Sequence, residues 1–571
     1  MTIARMHRRR FLDLGFKGLA VIGAESACAR KASPAASYSA RQIRFENRQK
    51  ASHVDFVLNN ATTPNKPLID STLGGVALFD FDNDGFLDIF FTNGAQIPSL
   101  EKDNPTFHNR LYRNNRDGTF TDVTDRAGLQ GEGYCMGVAA ADFDNDGWTD
   151  LYLTGVNRNI LYHNNGDGTF TDITEQAGVS GVDSNGKKLW SVGAAWFDYD
   201  NDGLLDLFVT NYLDWSFMTS KVCGDDGKRL SCSPSLYSGL PNLLYHNNGD
   251  GTFTDVSRQT GIAELIGKGM SVAVADFDDD GFMDVFVAND QARNFLLKNV
   301  EGQRFTEIGV EAGVAYSEDG LPLSSMGVDF RDLNDDGRPD LIVTALGGET
   351  FPLYVNSGHG LFESSSYLSR LGFETLRMSG WGVGAYDFDN DGHKDLFTAN
   401  SHVSENADFY GRDRYRQTNA LFRNLGNGRF ENVTPQAGSA FQVAAAHRGC
   451  AFGDLNNDGR IDSIVSAIGE PAKVLYNISS RENHWILIQL QGTKSNRDGI
   501  GAKIKIISDS GQVQHNHVTT AVGYASASDK RVHFGLGAAR RIREIEIRWP
   551  SGHPQTLRDI AADQILMVKE K

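Results

Sequence analysis

Apolar and polar positions alternate along this chain in short runs, each cut off by Asp, Asn or Gly, and the same order of runs keeps returning. A run such as Gly137–Ala141 leads into a cluster of aspartates, and a second beginning at Leu151 leads out of it. A third run ends in Asn164, a turn follows at Asp167 and Gly168, and a fourth run starts at Phe170. Period-two alternation bounded by such turns predicts strands, and Asp-Gly supplies the positive φ that a tight hairpin needs. The predicted unit is a four-stranded antiparallel blade.

The aspartate clusters begin at Asp80, Asp142, Asp198, Asp276, Asp332, Asp387 and Asp454, separated by 62, 56, 78, 56, 55 and 67 residues. That period predicts a propeller or a solenoid. Third strands end at Asn114, Asn164, Asn247, Asn299, Asn356, Asn424 and Asn477. The Phe-led fourth strand follows the first six, at Phe120, Phe170, Phe253, Phe305, Phe362 and Phe430, and is missing after Asn477. A spare copy stands at Phe45, ahead of the first repeat, so the expectation is a ring of seven blades closed by the N-terminal strand. The expected architecture is all-β: a seven-bladed propeller over 45–480 and a small β-sandwich over 481–571. An export signal over 1–30 and a linker over 31–44 precede them.

Each cluster is a nine-residue loop. Positions one, three, five and nine are Asp80, Asp82, Asp84 and Asp88 in the first and Asp142, Asp144, Asp146 and Asp150 in the second. The third has Asp198, Asp200, Asp202 and Asp206, and the fourth Asp276, Asp278, Asp280 and Asp284. The fifth has Asp332, Asn334, Asp336 and Asp340, the sixth Asp387, Asp389, Asp391 and Asp395, and the seventh Asp454, Asn456, Asp458 and Asp462. Glycine at position six permits a sharp turn, and the position-seven carbonyls belong to Phe86, Trp148, Leu204, Phe282, Arg338, His393 and Arg460. Such an oxygen-only shell suits Ca2+ better than the smaller, strictly octahedral Mg2+, and up to seven ions are expected. No imidazole or thiolate stands at a side-chain ligand position, which disfavours softer metals. An aspartate that opens a strand, in place of a glutamate at position twelve, separates these loops from EF-hands. Asn334 and Asn456 keep an oxygen at lower charge, so their loops are expected to bind more weakly.

Composition sharpens this picture. The 571 residues contain 61 glycines and only 14 prolines, as many tight turns require. The formal charge is −18, but from Asn483 onward 13 lysines and arginines face 8 acids, so a tail of +5 follows a body of about −23. An acidic body repels nucleic acid and anionic membranes, and no apolar run after the N-terminal segment is long enough for a membrane-spanning helix.

The start of the chain resembles a twin-arginine export signal: paired arginines at Arg8 and Arg9, then Phe11 and Leu12, then an apolar stretch. This predicts a periplasmic or extracellular protein. Cys28 is a candidate lipid anchor, although Glu25 stands where that pattern takes an aliphatic residue. In an oxidising compartment the neighbours Cys223 and Cys232 are expected to form a disulfide, since no paired CxxC or histidine cluster favours zinc.

The repeats resemble the FG-GAP (VCBS) repeats of integrin-α-like propellers, and the whole chain is similar to the cartilage acidic protein and ASPIC/UnbV family. The tail carries the most specific likeness: Asn483–Trp485, Ser495–Asp498, Ile500–Ala502, His533–Gly537 and Trp549–Gly552. Ala527 departs from the pattern, which more often has Gln there. The resemblance implies an extracytoplasmic calcium-binding protein and defines no molecular activity.

Strand order puts the acidic loops and the Asn-Gly hairpins on one side of the ring and the longer, more varied connections on the other, where recognition is expected. Tyr134, Trp190, Asn211, Asp214, Trp215, Asn289, Asp290, Trp381, Asn400, His402, His447 and Arg448 are placed there. Asn and Asp more often cap strand ends and Trp more often fills the inner packing layer than either meets a ligand. The same residue types also stack on and hydrogen-bond a sugar. The insertion from Leu213 to Leu240 is long enough to cap the central channel. The leading expectation is a recognition or scaffold protein for an extracytoplasmic protein, glycan or small molecule. The alternative is an enzyme of secondary metabolism or glycan processing that uses His402, His447 or Arg448 in the channel. No GxSxG, HExxH or phosphate-cradling glycine loop supports that alternative.

Overall fold

The computed structural model describes residues 42–571 apart from Asp226, Gly411 and Arg412; the expected export signal, Cys28 and most of the expected linker lie outside the described residues. Among the described residues, the regular structure is almost entirely β, with only short helices. Its body holds seven antiparallel sheets of four strands, the fourth of which also takes a short fifth strand, Leu323–Ser324. In the first sheet Val76–Phe79, Asp88–Phe91, Arg110–Asn114 and Phe120–Asp122 pair in chain order. The seventh consists of His447–Gly453, Asp462–Ala467, Lys473–Asn477 and the N-terminal strand Phe45–Asn47, with Phe45 opposite Asn477.

First strands are wholly buried, because neighbouring sheets press on both faces, and they are mostly apolar or small, with Asp329, Arg331, His447 and Arg448 as buried charged or titratable exceptions. They touch in succession: Val76–Phe79, Tyr134–Ala141, Ser191–Phe197, Gly269–Ala275, Val328–Arg331, Gly380–Tyr386 and His447–Gly453, and the last touches the first. Fourth strands bury only their leading phenylalanine and expose the next two residues, as an edge strand with one covered position does.

Seven asparagines stitch the sheets together. The Nδ2 of each third-strand asparagine donates to the position-two carbonyl of the preceding sheet's acidic loop: Asn164 to Phe81, Asn247 to Phe143, Asn299 to Tyr199, Asn356 to Phe277, Asn424 to Leu333 and Asn477 to Phe388. Asn114 of the first sheet donates to Leu455 of the seventh, at 2.9 Å. All seven are nearly solvent-free, so each bond is made where an unmade one is costly.

The tail is two facing sheets. His484–Gln491 pairs antiparallel with Val532–Gly537 and parallel with Gln564–Lys569. The other sheet runs Val513–His517, Lys503–Ser508, Arg541–Arg548, Pro554–Ala561. Alternate residues such as Ile504, Ile506, Ile545 and Ile547 fill the space between them. This core is continuous with that of the body, and the two parts form one compact unit.

Candidate metal centre

All seven acidic loops share one hydrogen-bond plan. The position-six glycine N–H donates to Oδ2 of the position-one aspartate, at 2.6–3.0 Å. The position-nine carboxylate accepts from the position-two N–H and from the N–H of the third-strand asparagine, so the second strand, the loop and the third strand converge on it. Position four has positive φ throughout, from Asn83 to Asn457. Where it is asparagine, its amide reaches the next loop: Asn83 to Gly147, Asn145 to Gly203, Asn201 to Gly281, Asn390 to Gly459 and Asn457 to Gly85. The chain of contacts is interrupted at Asp279 and Asp335, the two loops with aspartate in that place. At Asp279 the tail's Lys503 and Arg548 take over, each at 2.7 Å.

Burial, ahead of every other cause, raises the position-nine carboxyls. Asp150 and Asp340 are pushed up to about 7 and Asp206 to about 6, and Asp88, Asp284, Asp395 and Asp462 are held well above the ordinary carboxylate range. Asp142, buried and close to Asp498, is pushed up to about 8. Carboxylates gathered in so dry a place call for positive charge. Ligand oxygens of Asp80, Asp82 and Asp88 lie within 4.8 Å of one another, as do those of Asp142, Asp144 and Asp150 and of Asp198, Asp200 and Asp202. The Oδ1 atoms of Asp82, Asp142, Asp200 and Asp278 are buried without a hydrogen-bond partner. Converging oxygens left unsatisfied fit a hard divalent cation.

The tail covers this acidic face, its positive charge against the body's negative charge. Arg497 N–H donates to Asn145 Oδ1 at 2.6 Å, Lys503 Nζ meets Asp276 at 2.8 Å, and Asn483 Nδ2 donates to the Asp389 carbonyl at 2.8 Å. Arg531 donates to the Asp454 carbonyl and to Asn457. From this cover the segment 519–531 descends between the first strands. Leu78 and Val138 donate N–H to the carbonyls of Ala527 and Ala525, at 3.0 and 3.1 Å, and Gly523 and Val328 exchange bonds. Tyr524, wholly buried, donates its hydroxyl to the Thr72 carbonyl and sets its ring edge-on to Trp381, centroids 4.9 Å apart. The space between the first strands is therefore filled by the tail, which no local pattern in the sequence signalled.

The residues expected to face a ligand fall into two buried groups. Trp190 packs edge-on to Tyr212 and Trp215, and the Tyr212 hydroxyl donates to Asp290, whose carboxyl burial pushes up to about 6. Asn211 and Asn289 spend their amides on the Pro241 and Arg293 carbonyls. In the second group Arg448 stacks over Trp381 at 4.1 Å and donates to the Ser71 and His447 carbonyls. Trp381 Nε1 donates to the Ser401 carbonyl, and Asn400 donates to the Thr418 carbonyl. Burial pushes His447 down to about 3. His402 is half-buried, its Nδ1 accepting from Ser404 N–H, and Tyr134 is buried with its hydroxyl on the Asn60 carbonyl. Asp214 is separate and exposed, paired with Lys187. Cys223 and Cys232 are disulfide-bonded, and the insertion that holds them receives a bond to the Arg229 carbonyl from Asn406, in the loop between the second and third strands of the sixth sheet.

Sequence reasoning misses a set of bases, one residue before five of the seven bridging asparagines, that touch the acidic loops. Arg113 reaches Asp82 and Asp84, His163 lies 3.4 Å from Asp144, and His246 lies 3.4 Å from Asp200. Their one signal is a fixed place in the repeat.

A family model described as FG-GAP-like repeat matches residues 80–153, 142–209, 226–287, 276–343, 332–398 and 405–465, and one described as ASPIC and UnbV matches 492–571. Cartilage acidic protein 1 of Mus musculus is 24% identical over 513 residues, 87% of this chain and 73% of that protein. The protein of the same name from Homo sapiens is 24% identical over 537 residues, 87% of this chain and 71% of its own. Among solved structures, the BP39L lectin from Burkholderia pseudomallei aligns with a TM-score of 0.42 and 11% identity, covering 72% of this chain and 97% of the lectin.

Proposed function

The chain belongs to the FG-GAP-like repeat family, with an ASPIC and UnbV domain over residues 492–571, and from that premise we propose an exported, calcium-loaded, seven-bladed propeller that serves as a recognition or scaffold module. Positions one, three, five and nine of each loop, with the position-seven carbonyl, would hold the ion. A bound divalent cation supplies the charge that offsets the gathered carboxylates. The seven asparagine bridges, running from each sheet to the one before and from the first to the seventh, support closure of the ring.

The observation that carries this reading is the filled centre. With Gly523–Asp529 between the first strands, and His447 and Arg448 wholly buried, the outer face is what remains for a partner. That face carries the disulfide-tied insertion, on which Met218 and Val222 are exposed. A protein or glycan is the expected partner class.

Calcium is tested by equilibrium dialysis of the chelator-treated full chain and by melting with and without Ca2+. Each occupied site at a hundredfold excess over its Kd is expected to contribute about 2.7 kcal/mol. Retention of no calcium, with an unchanged melting curve, would end the metal reading. Recognition is tested by glycan-array and protein pull-down binding of the full chain. Binding that survives deletion of the insertion 216–236 would remove that surface from the proposal.

A further inference from the structure

Five of the seven loops carry aspartate at position three and two carry asparagine, Asn334 and Asn456. The residue before the bridging asparagine is Arg113, His163, His246, Lys298, Val355, Arg423 and Tyr476 in sheets one to seven. The two sets correspond without exception. Every position-three aspartate has a base across from it, and both asparagines have a neutral residue.

The contacts bear on the correspondence, since in each pair a nitrogen of the base lies within 3.4 Å of the same oxygen. Arg113 Nε is 2.5 Å from Asp82 Oδ2 and Arg423 Nε 3.0 Å from Asp389 Oδ2, and Lys298 pairs with Asp278 Oδ2; His163 Nδ1 and His246 Nδ1 lie 3.4 Å from Asp144 Oδ2 and Asp200 Oδ2 and 3.3 Å from Oδ1 of the position-nine aspartates Asp150 and Asp206. The other oxygen, Oδ1, of Asp82, Asp200 and Asp278 is buried without a hydrogen bond. A base on one oxygen turns its twin toward the remaining carboxylates of the loop. In the asparagine loops the backbone holds the side-chain oxygen, Asn334 Oδ1 accepting from Asp336 N–H at 3.0 Å as Asp144 Oδ1 accepts from Asp146 N–H at 3.2 Å, and the positive side chain sits elsewhere, Arg338 on Asp336 and Arg460 on Asp458.

We propose that the base preceding each bridging asparagine is a positioning residue of the metal site, holding Oδ2 of the position-three carboxylate so that Oδ1 is presented to the cation. The inference rests on the metal reading of the loops and adds a sign to it. A positive side chain beside a divalent ion repels it, so simple charge arithmetic expects tighter binding once the base is removed. A positioning role expects weaker binding, since partners that orient metal ligands commonly contribute ten- to a hundredfold in affinity.

The second loop reports on itself, because Trp148 is its position-seven residue and sensitises Tb3+ bound there. Emission lost in Trp148→Phe assigns the signal. In the full chain at fixed pH, His163→Leu is expected to weaken Tb3+ at this loop about tenfold or more, and His163→Arg to keep it within about threefold. Asp144→Asn combined with His163→Val, the pairing that the fifth sheet uses, should lose less than the product of the single changes. Emission through Trp485, whose indole lies over Gly459 of the seventh loop, should stay unmoved and so controls for folding. Unchanged or tighter binding in His163→Leu, or strict additivity in the double variant, overturns the inference while leaving the metal reading intact. A parent chain with no Trp148-dependent emission overturns the metal reading and the inference together.

Discussion

Tyr524 is the residue through which the tail's hold on the body is best measured. Its side chain is wholly buried, its ring meets Trp381 at 4.9 Å, and its hydroxyl is bound by the Thr72 carbonyl. Truncating a buried aromatic to alanine costs about 3–5 kcal/mol in transfer and cavity free energy. Leaving the Thr72 carbonyl without this donor adds about 1 kcal/mol or more. Tyr524→Ala should therefore weaken seating of the segment by about 4 kcal/mol, and Tyr524→Phe by only about 1 kcal/mol.

Melting is a poor gauge in a chain of this size, where all-or-none unfolding is not assured. Amide exchange is direct, because the N–H groups of Leu78, Val138, Val328, Gly523 and Ala527 are bonded across the junction between segment and first strands. If these open only when the segment lifts, a loss of about 4 kcal/mol speeds their exchange by roughly three orders of magnitude. Outer-hairpin amides such as Val123, bonded to Leu111, serve as the reference and should not change. Exchange in Tyr524→Ala that stays within about tenfold of the parent would refute the reasoning, since the segment would then be held by its backbone alone.

Asn114→Ala leaves the carbonyls of Leu87 and Leu455 without their 3.0 and 2.9 Å donor at the junction of the first and seventh sheets. It should cost about 2–4 kcal/mol, read as faster limited proteolysis near Phe45, and an unchanged cleavage rate would deny the bridge its role. His533 is buried with its Nε2 at the Gly459 carbonyl, and burial pushes its imidazole down to about 4. The unfolded chain takes up this proton below about pH 6.5 while the folded one refuses it. Stability should thus be full above that pH and fall toward pH 4 by up to about 1.4 kcal/mol per unit. His533→Gln should flatten that share of the slope in denaturant titrations, and superimposable slopes would show that this imidazole plays no part.

What the sequence made legible is whatever the repeat states seven times. The aspartate loops, the asparagine that ends each third strand and the phenylalanine that opens the fourth recur at fixed places, so all-β sheets and an acidic face follow from the pattern alone. The meaning of a repeated residue was harder to read. An asparagine at a strand end looks like punctuation, yet its amide crosses to the neighbouring sheet, and only three-dimensional adjacency shows the acceptor. The bases at Arg113 and Lys298 were equally regular but lie far along the chain from the aspartates they touch. Least legible was the tail's segment, which contacts first strands as far as 450 residues away, mostly through main-chain atoms. No side-chain pattern encodes such a contact.

That last point also explains why the segment is built of small residues. A Cβ on Gly75 would stand 2.5 Å from the Ala525 carbonyl oxygen, one on Gly137 2.9 Å from it, and one on Gly449 2.6 Å from Ser526 Oγ. The first strands therefore give up side chains where the segment passes, and the segment in turn offers Gly523, Ala525 and Ala527. Ala527 stands where the resembled family more often has glutamine. Its own N–H and carbonyl are both engaged, to Val76 and from Leu78, and its side chain is 1% exposed. Because the hold at this position is main chain on main chain, alanine keeps both bonds and removes only bulk from a passage that has little room for it.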